Sequence, residues 1–164
     1  MLEEIINHII MQRVDICAWL HTGFGKSLCY AFAPVFYDKV HKIQKCSVIL
    51  CPLRSIVDEQ ISCFLKNDIR AVKLRYIVYI YSLYHFFRLL NHEIEDSTEF
   101  NYLQDVKTAH VLFVTPDIVH DLNIQNQFRY INQYNEILVF AIDEAHTVLS
   151  WAHSIRENMS ICHV

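Results

Sequence analysis

A chain of 164 residues with a net charge of −4 is long enough to bury one core, and its 53% hydrophobic against 20% charged content excludes a disordered tail. The pI of about 6.2 excludes a globally basic nucleic-acid binder, so any contact with DNA or RNA has to be local. Six cysteines with no CxxC pair and no Cys/His zinc spacing read as buried free thiols of a reducing compartment.

The opening MLEEIINHII begins with acid rather than the positive stretch of a signal peptide. Its Leu2, Ile5, Ile6, Ile9 and Ile10 recur at helical spacing and predict a helix. Val14–Leu20 (VDICAWL) reads as a buried strand, after which Gly23–Gly25 turns the chain into a helix from about Lys26. Ser47–Cys51 (SVILC) is the next strand, closed by Pro52, with a helix expected over Ile56–Leu65. Val72–His92 packs Tyr76, Tyr79, Tyr81, Tyr84, Phe86 and Phe87 together without a clean period. It reads either as a buried or surface-docked helix or as an insertion foreign to the surrounding fold. Its apolar part, Ile77–Leu90, is shorter than the ~20 residues of a membrane span and contains His85 and Arg88, so a soluble intracellular protein is expected. Val111–Thr115 (VLFVT), closed by Pro116, and Ile137–Ile142 (ILVFAI), ending at Asp143, are further strands.

Apolar strands alternating with helices predict an α/β fold with a mainly parallel central sheet covered on both faces. Three of the strands run into polar clusters at their C-terminal ends, the edge where open α/β sheets bind ligands.

The chain's two glycines, Gly23 and Gly25, lie together in HTGFGKSLCY, between an expected strand and an expected helix. A glycine-rich turn opening a helix aims backbone N–H groups and the helix dipole at one spot, which suits a phosphate. Lys26 can then reach the β- and γ-phosphates, and the Ser27 hydroxyl can ligate Mg²⁺. The strict GxxxxGK[ST] pattern fails at its first glycine, where Leu20 stands. In ILVFAIDEAH a strand delivers Asp143 and Glu144 to the sheet edge. Such an Asp holds the hydrated Mg²⁺, and the adjoining Glu orients and deprotonates the attacking water.

With these residues the sequence resembles the superfamily 2 helicases, and within them the RecQ family of DNA helicases. TGFGKSLCY is similar to motif I, and CPLRSIVDEQ (Cys51–Gln60) to motif Ia, whose loop touches the DNA backbone. VLFVTPDIV (Val111–Val119) resembles the motif whose Thr-Pro turn lies along the strand. AIDEAHTVLSWAHSIR (Ala141–Arg156) resembles motif II running into the aromatic-rich loop of RecQ enzymes. The family pattern is broken at His21, Phe24, Ser150 and Ile155, and the adenine-reading glutamine would fall near Leu2.

The resemblance implies a three-layer RecA-like P-loop lobe, with ATP and Mg²⁺ as its ligands. It implies an ATP site of Thr22, Gly23, Phe24, Gly25, Lys26, Ser27 and Leu28, with Ser27 and Asp143 on the metal. Lys26, Asp143, Glu144 and His146 would be catalytic, His146 bridging the hydrolysis site to a second lobe. Single-stranded or forked DNA would lie on Pro52, Leu53, Arg54, Thr115, Trp151, His153 and Arg156. Without the resemblance, Trp151 and His153 also fit a packed core turn, and Arg54 and Thr115 ordinary loop roles.

The function implied is the ATP-binding lobe of a 3′–5′ DNA helicase, working without a membrane in DNA repair or recombination in the nucleus. The chain is expected to be a fragment, with a second RecA-like lobe elsewhere in the full-length protein, and to be inactive alone. A non-catalytic nucleotide- or DNA-binding remnant and a DEAD/DEAH RNA helicase lobe are the alternatives.

Overall fold

The computed structural model describes residues 2–11, 15–21, 23–76 and 98–145, the side chains of 98–100 excepted. Helix α1 (Leu2–Met11) carries its apolar stripe where the spacing puts it, with Glu3 and Glu4 complementing the dipole in its first turn. Helix α2 (Lys26–Phe36) starts directly after Gly25 and continues into a turn of π-helix over Tyr37–His41. Then follow β1 (Lys45–Leu50), α3 (Arg54–Lys66), β2 (Ala71–Lys73), α4 (Thr98–Thr108), β3 (Val111–Val114), α5 (Leu122–Tyr134) and β4 (Glu136–Ile142).

The strands form a sheet of order β2-β3-β1-β4 in which every neighbouring pair is parallel. β1 at its centre buries both faces, as its unbroken apolar run requires. Cys46 and Val48 join Val106, Leu112, Val114, Ile124 and Ile131 in a core under α4 and α5. Ile49 and Cys51 join Tyr30, Ala31, Val57, Phe64 and Phe113 in a second core under α2 and α3. Alternation along β1 thus splits its side chains between two helical layers, which gives the three-layer α/β lobe that the sequence implied.

Pro34 stands inside α2 and has no N–H to give the carbonyl four residues earlier, that of Tyr30. The Ser47 hydroxyl on β1 donates to that carbonyl instead, at 2.6 Å in a buried position. The expectation of a buried strand at Val14–Leu20 is overturned. Asp15–Leu20 has no regular structure, Asp15–Trp19 is exposed, and Trp19 keeps 91% of its surface. A strand needs a neighbour for its N–H and C=O groups. The outer edge of β4 pairs with no strand among the described residues, and a cavity separates it from Asp15–Ala18 and Leu20. Phe140 and Ile142 on β4 are accordingly 58% and 47% exposed.

Val72 and Lys73, the first residues of the segment read as a helix or insertion, belong to β2 and face Leu112 and Phe113 in register. Leu74–Tyr76 follow without regular structure, and residues 77–92 lie outside the described residues. Five cysteines are described, all free: Cys29, Cys46 and Cys51 are buried as expected, whereas Cys17 and Cys63 are exposed. Burial pushes the Cys46 thiol up to about 12, so it packs as a neutral apolar group. No helix among the described residues is long and apolar enough to cross a membrane.

At the edge opposite the glycine turn, fully buried His110 joins β3 to the π-turn. Its Nε2 lies 2.9 Å from Asp38 Oδ2, and its Nδ1 accepts from the Arg70 backbone N–H at 3.2 Å. Burial holds His110 below its ordinary 6.5, against the pull of Asp38. The depressed value means that the unfolded chain takes up this proton first. Stability contributed above about pH 6.5 is therefore lost as pH falls through the folded-state value. Urea midpoints measured from pH 7.5 downward should show this decline, and His110→Asn should flatten that part of the curve.

Candidate active site

The glycine turn has the backbone its residues demand. Gly23 and Gly25 take φ of 81° and 87°, the left-handed region that costs other residues free energy. A Cβ on Gly23 would meet nothing within 4 Å, so glycine is needed there for its conformation and not for space. The turn is closed by Phe24 N–H donating to His21 C=O at 3.2 Å, and Leu28 N–H donates to Gly25 C=O at 2.9 Å. α2 therefore begins at Lys26 with its first-turn N–H groups and positive dipole end at the mouth of the turn.

The end of β4 brings the acids to the same place. Asp143 N–H donates to Leu50 C=O at 3.0 Å, which extends the sheet by one bond and leaves Asp143 only 9% exposed. The next residue, Glu144, takes a left-handed φ of 52°, a turn that a non-glycine residue adopts at a cost. Its carboxylate sits 3.6 Å from Lys26 Nζ. Sequence positions more than a hundred residues apart thus meet across the sheet edge.

Polar neighbours fix the Asp143 carboxylate on both oxygens. Oδ1 accepts from the Glu144 backbone N–H at 3.0 Å, and Oδ2 accepts from the Gln60 amide at 3.2 Å. Gln60 Oε1 in turn accepts from the Tyr30 hydroxyl at 2.6 Å. Burial raises the Tyr30 pKa far above its ordinary value, against the opposing pull of the nearby Ser27 side chain. Tyr30 is therefore a permanent donor at neutral pH. Sequence reasoning placed Gln60 only at the end of the motif Ia stretch that frames a DNA-touching loop, and Tyr30 only in the tail of motif I, and linked neither to Asp143. The signal was there: on α3 Gln60 falls between core-facing Val57 and Phe64 at helical spacing, where an apolar residue is the rule.

A cavity of about 620 Å³ opens beside Lys26, Tyr30 and Asp143 and runs along β4 to α1. Among the described residues no cluster of three metal-ligating side chains occurs. A hydroxyl and a nearly buried carboxylate are nonetheless hard oxygen donors, and Mg²⁺ is ordinarily held by one or two carboxylates plus the phosphates of its substrate. Ser27 and Asp143 fit such a shared cation.

On the neighbouring loops Leu53 is 50% exposed, and the Arg54 guanidinium, also exposed, pairs with Asp117 Oδ2 at 2.8 Å. Asp117 lies in the turn after β3. Partial burial raises its pKa, but the Thr115 hydroxyl and Arg54 outweigh this and hold it below the usual carboxylate value. Thr115 itself is buried, at 3% exposure, and Pro52 is half-buried. Thr22, His146, Trp151, His153 and Arg156 lie outside the described residues.

A glycine turn, a lysine and paired acids converging on one edge of a parallel sheet match a known family along almost the whole chain. The family model for DEAD/DEAH box helicases covers residues 3–163. The chain belongs to this family. This helicase domain is 24% identical over 158 residues to the bifunctional 3′-5′ exonuclease/ATP-dependent helicase WRN of Mus musculus, covering 94% of this chain and 9% of that protein. It is 25% identical over 154 residues to the ATP-dependent DNA helicase RecQ of Haemophilus influenzae, covering 94% and 21%. A putative ATP-dependent RNA helicase, R290, of Acanthamoeba polyphaga mimivirus is 26% identical over 155 residues, covering 93% and 23%. The domain thus spans under a quarter of the length of each of these relatives.

The two glycines give a direct check on the local argument. Gly23→Ala should destabilise the domain by about 1–2 kcal/mol, the cost of a left-handed residue with a Cβ, as read from denaturant midpoints. Phe24→Ala, in the same turn, should cost less.

Proposed function

We propose that the chain is the MgATP-binding lobe of a RecQ-like 3′–5′ DNA helicase, which couples ATP hydrolysis to movement along single-stranded DNA. The observation that carries this reading is the 3.6 Å approach of Lys26 to Glu144, with Asp143 alongside at the end of β4. In this reading Lys26 leaves Glu144 for the β- and γ-phosphates of the nucleotide, and the turn of Thr22, Gly23, Phe24, Gly25 and Leu28 wraps them. Glu144, released from its ion pair, orients the attacking water and takes its proton. Ser27 and Asp143 would hold Mg²⁺, which would supply charge neutralisation on the phosphates. Pro52, Leu53, Arg54, Trp151, His153 and Arg156 would grip one DNA strand, by phosphate pairing and by stacking on the indole. Thr115, buried at the end of β3, would act through the turn it leads into rather than by its own surface. His146 would link this site to a second RecA-like lobe.

Similarity to the mimiviral protein named a putative RNA helicase supports a second reading, an RNA helicase lobe. Competition between single-stranded DNA and RNA of the same sequence separates the two, tighter DNA binding favouring the first.

Hydrolysis in such enzymes rests on positioning and on an arginine finger worth about 10³–10⁵ in rate, which the family resemblance assigns to the second lobe. Residues 1–164 alone should therefore bind a fluorescent ATP analogue in the presence of Mg²⁺ yet show negligible DNA-stimulated turnover. Lys26→Ala should abolish the binding. No binding by the unaltered chain would overturn the proposal.

The ion pair on the DNA-facing loops gives an opposed pair of variants. Arg54→Ala should weaken single-stranded DNA binding and reduce its salt slope by about one. Asp117→Asn, which frees Arg54 from its partner, should strengthen it.

A further inference from the structure

The DEQ stretch of α3 ends on a side chain placed between the strand-facing loop and the site of hydrolysis. Arg54 is the first residue of α3, and Gln60 lies less than two helical turns further along. A helix of that length moves as a rigid unit, so a displacement of the Leu53–Arg54 end is felt at Gln60. From there the Gln60 amide donates to Asp143 Oδ2 at 3.2 Å, a contact between residues 83 positions apart.

The chemistry of the amide is specific to this place. An ionised carboxylate only accepts hydrogen bonds, so Gln60 must turn its NH₂ and not its oxygen toward Asp143. The acceptor-only Asp143 sets that choice, and the Tyr30 hydroxyl, donating to Gln60 Oε1 at 2.6 Å, holds the other end of the amide in place. Tyr30 is itself held by its carbonyl to Ser47 on the central strand, so the phenol is a fixed reference for the amide. With the Glu144 N–H on its other oxygen, the Asp143 carboxylate is left with one orientation.

We propose that Gln60, locked by Tyr30, is the positioning residue that holds the Asp143 carboxylate in the orientation needed by the divalent cation of the nucleotide, and that α3 passes strand occupancy at Leu53–Arg54 to that carboxylate through it. This rests on the MgATP and single-stranded DNA reading above. Partners that orient a ligating carboxylate contribute about 10–100-fold in metal affinity in other sites.

The test is a Mg²⁺ titration of fluorescent ATP-analogue binding to the whole chain, with and without a single-stranded oligonucleotide. Gln60→Ala should weaken the apparent Mg²⁺ affinity on the order of tenfold and leave nucleotide binding without Mg²⁺ unchanged. Tyr30→Phe, which keeps the ring and removes only the hydroxyl, should shift that affinity in the same direction and carries the test should Gln60→Ala fail to fold by circular dichroism. In the unaltered chain the oligonucleotide should change the Mg²⁺ affinity, and in Gln60→Ala it should not. Mg²⁺ curves for the Gln60 and Tyr30 variants that coincide with the unaltered chain would overturn the positioning role. An oligonucleotide effect that is absent from the unaltered chain, or undiminished in Gln60→Ala, would overturn the route through α3. Loss of all Mg²⁺-dependent nucleotide binding in the unaltered chain is a different result, which removes the functional reading and this inference together.

Discussion

The buried hydrogen bond from Ser47 to the Tyr30 carbonyl sets the position of the parts that matter. Proline inside α2 leaves that carbonyl without its helical partner, and a buried carbonyl with no donor costs about 1–3 kcal/mol. By supplying the donor from β1, the fold ties α2 to its central strand at one defined point. The N-terminus of α2 is the glycine turn, and β1 shares its C-terminal edge with β4. One side chain therefore registers the turn and its lysine against the acids on the neighbouring strand. The same anchored residue then turns its phenol to Gln60, so backbone and side chain of Tyr30 serve both ends of the site.

The charges at that edge differ in how firmly they are held. Lys26 and Glu144 are both about 30% exposed and satisfy each other across 3.6 Å. A partly hydrated pair of this kind is weak, worth about 0–1 kcal/mol, so a polyanion at the helix N-terminus can take the lysine away at little cost. Asp143 is different: it is more deeply buried and bonded on both oxygens. The fixed carboxylate and the displaceable one are adjacent residues. Their difference comes from the left-handed turn at Glu144, which swings the second carboxylate out of line with the strand.

What was legible in the sequence followed the strength of the local signal. β1, β3 and β4 are runs that only burial explains, and Leu2, Ile5, Ile6, Ile9 and Ile10 repeat at helical spacing, so these elements were found to within two residues. β2 is three residues long, too short for any pattern. α5 buries Ile124 and Ile131 but also Gln127, whose amide bonds the Arg75 carbonyl and the Tyr102 hydroxyl, so its core face reads as polar. Val14–Leu20 failed in the opposite sense. Its residues suit a strand, but strand formation depends on a neighbour, and a sequence run does not reveal whether one is there. The loop and the acids were legible because their chemistry restricts residue type. Gln60 was not, because its role depends on a contact across the fold.

Along β4 the open side has a practical meaning. Its outer N–H and C=O groups have no ladder among the described residues, and Phe140 and Ile142 flank them with apolar surface. Parallel sheets rarely leave such an edge bare, because it templates the addition of any extended chain. A surface that completes the sheet along β4 would act as a solubilising cover as well as a structural one.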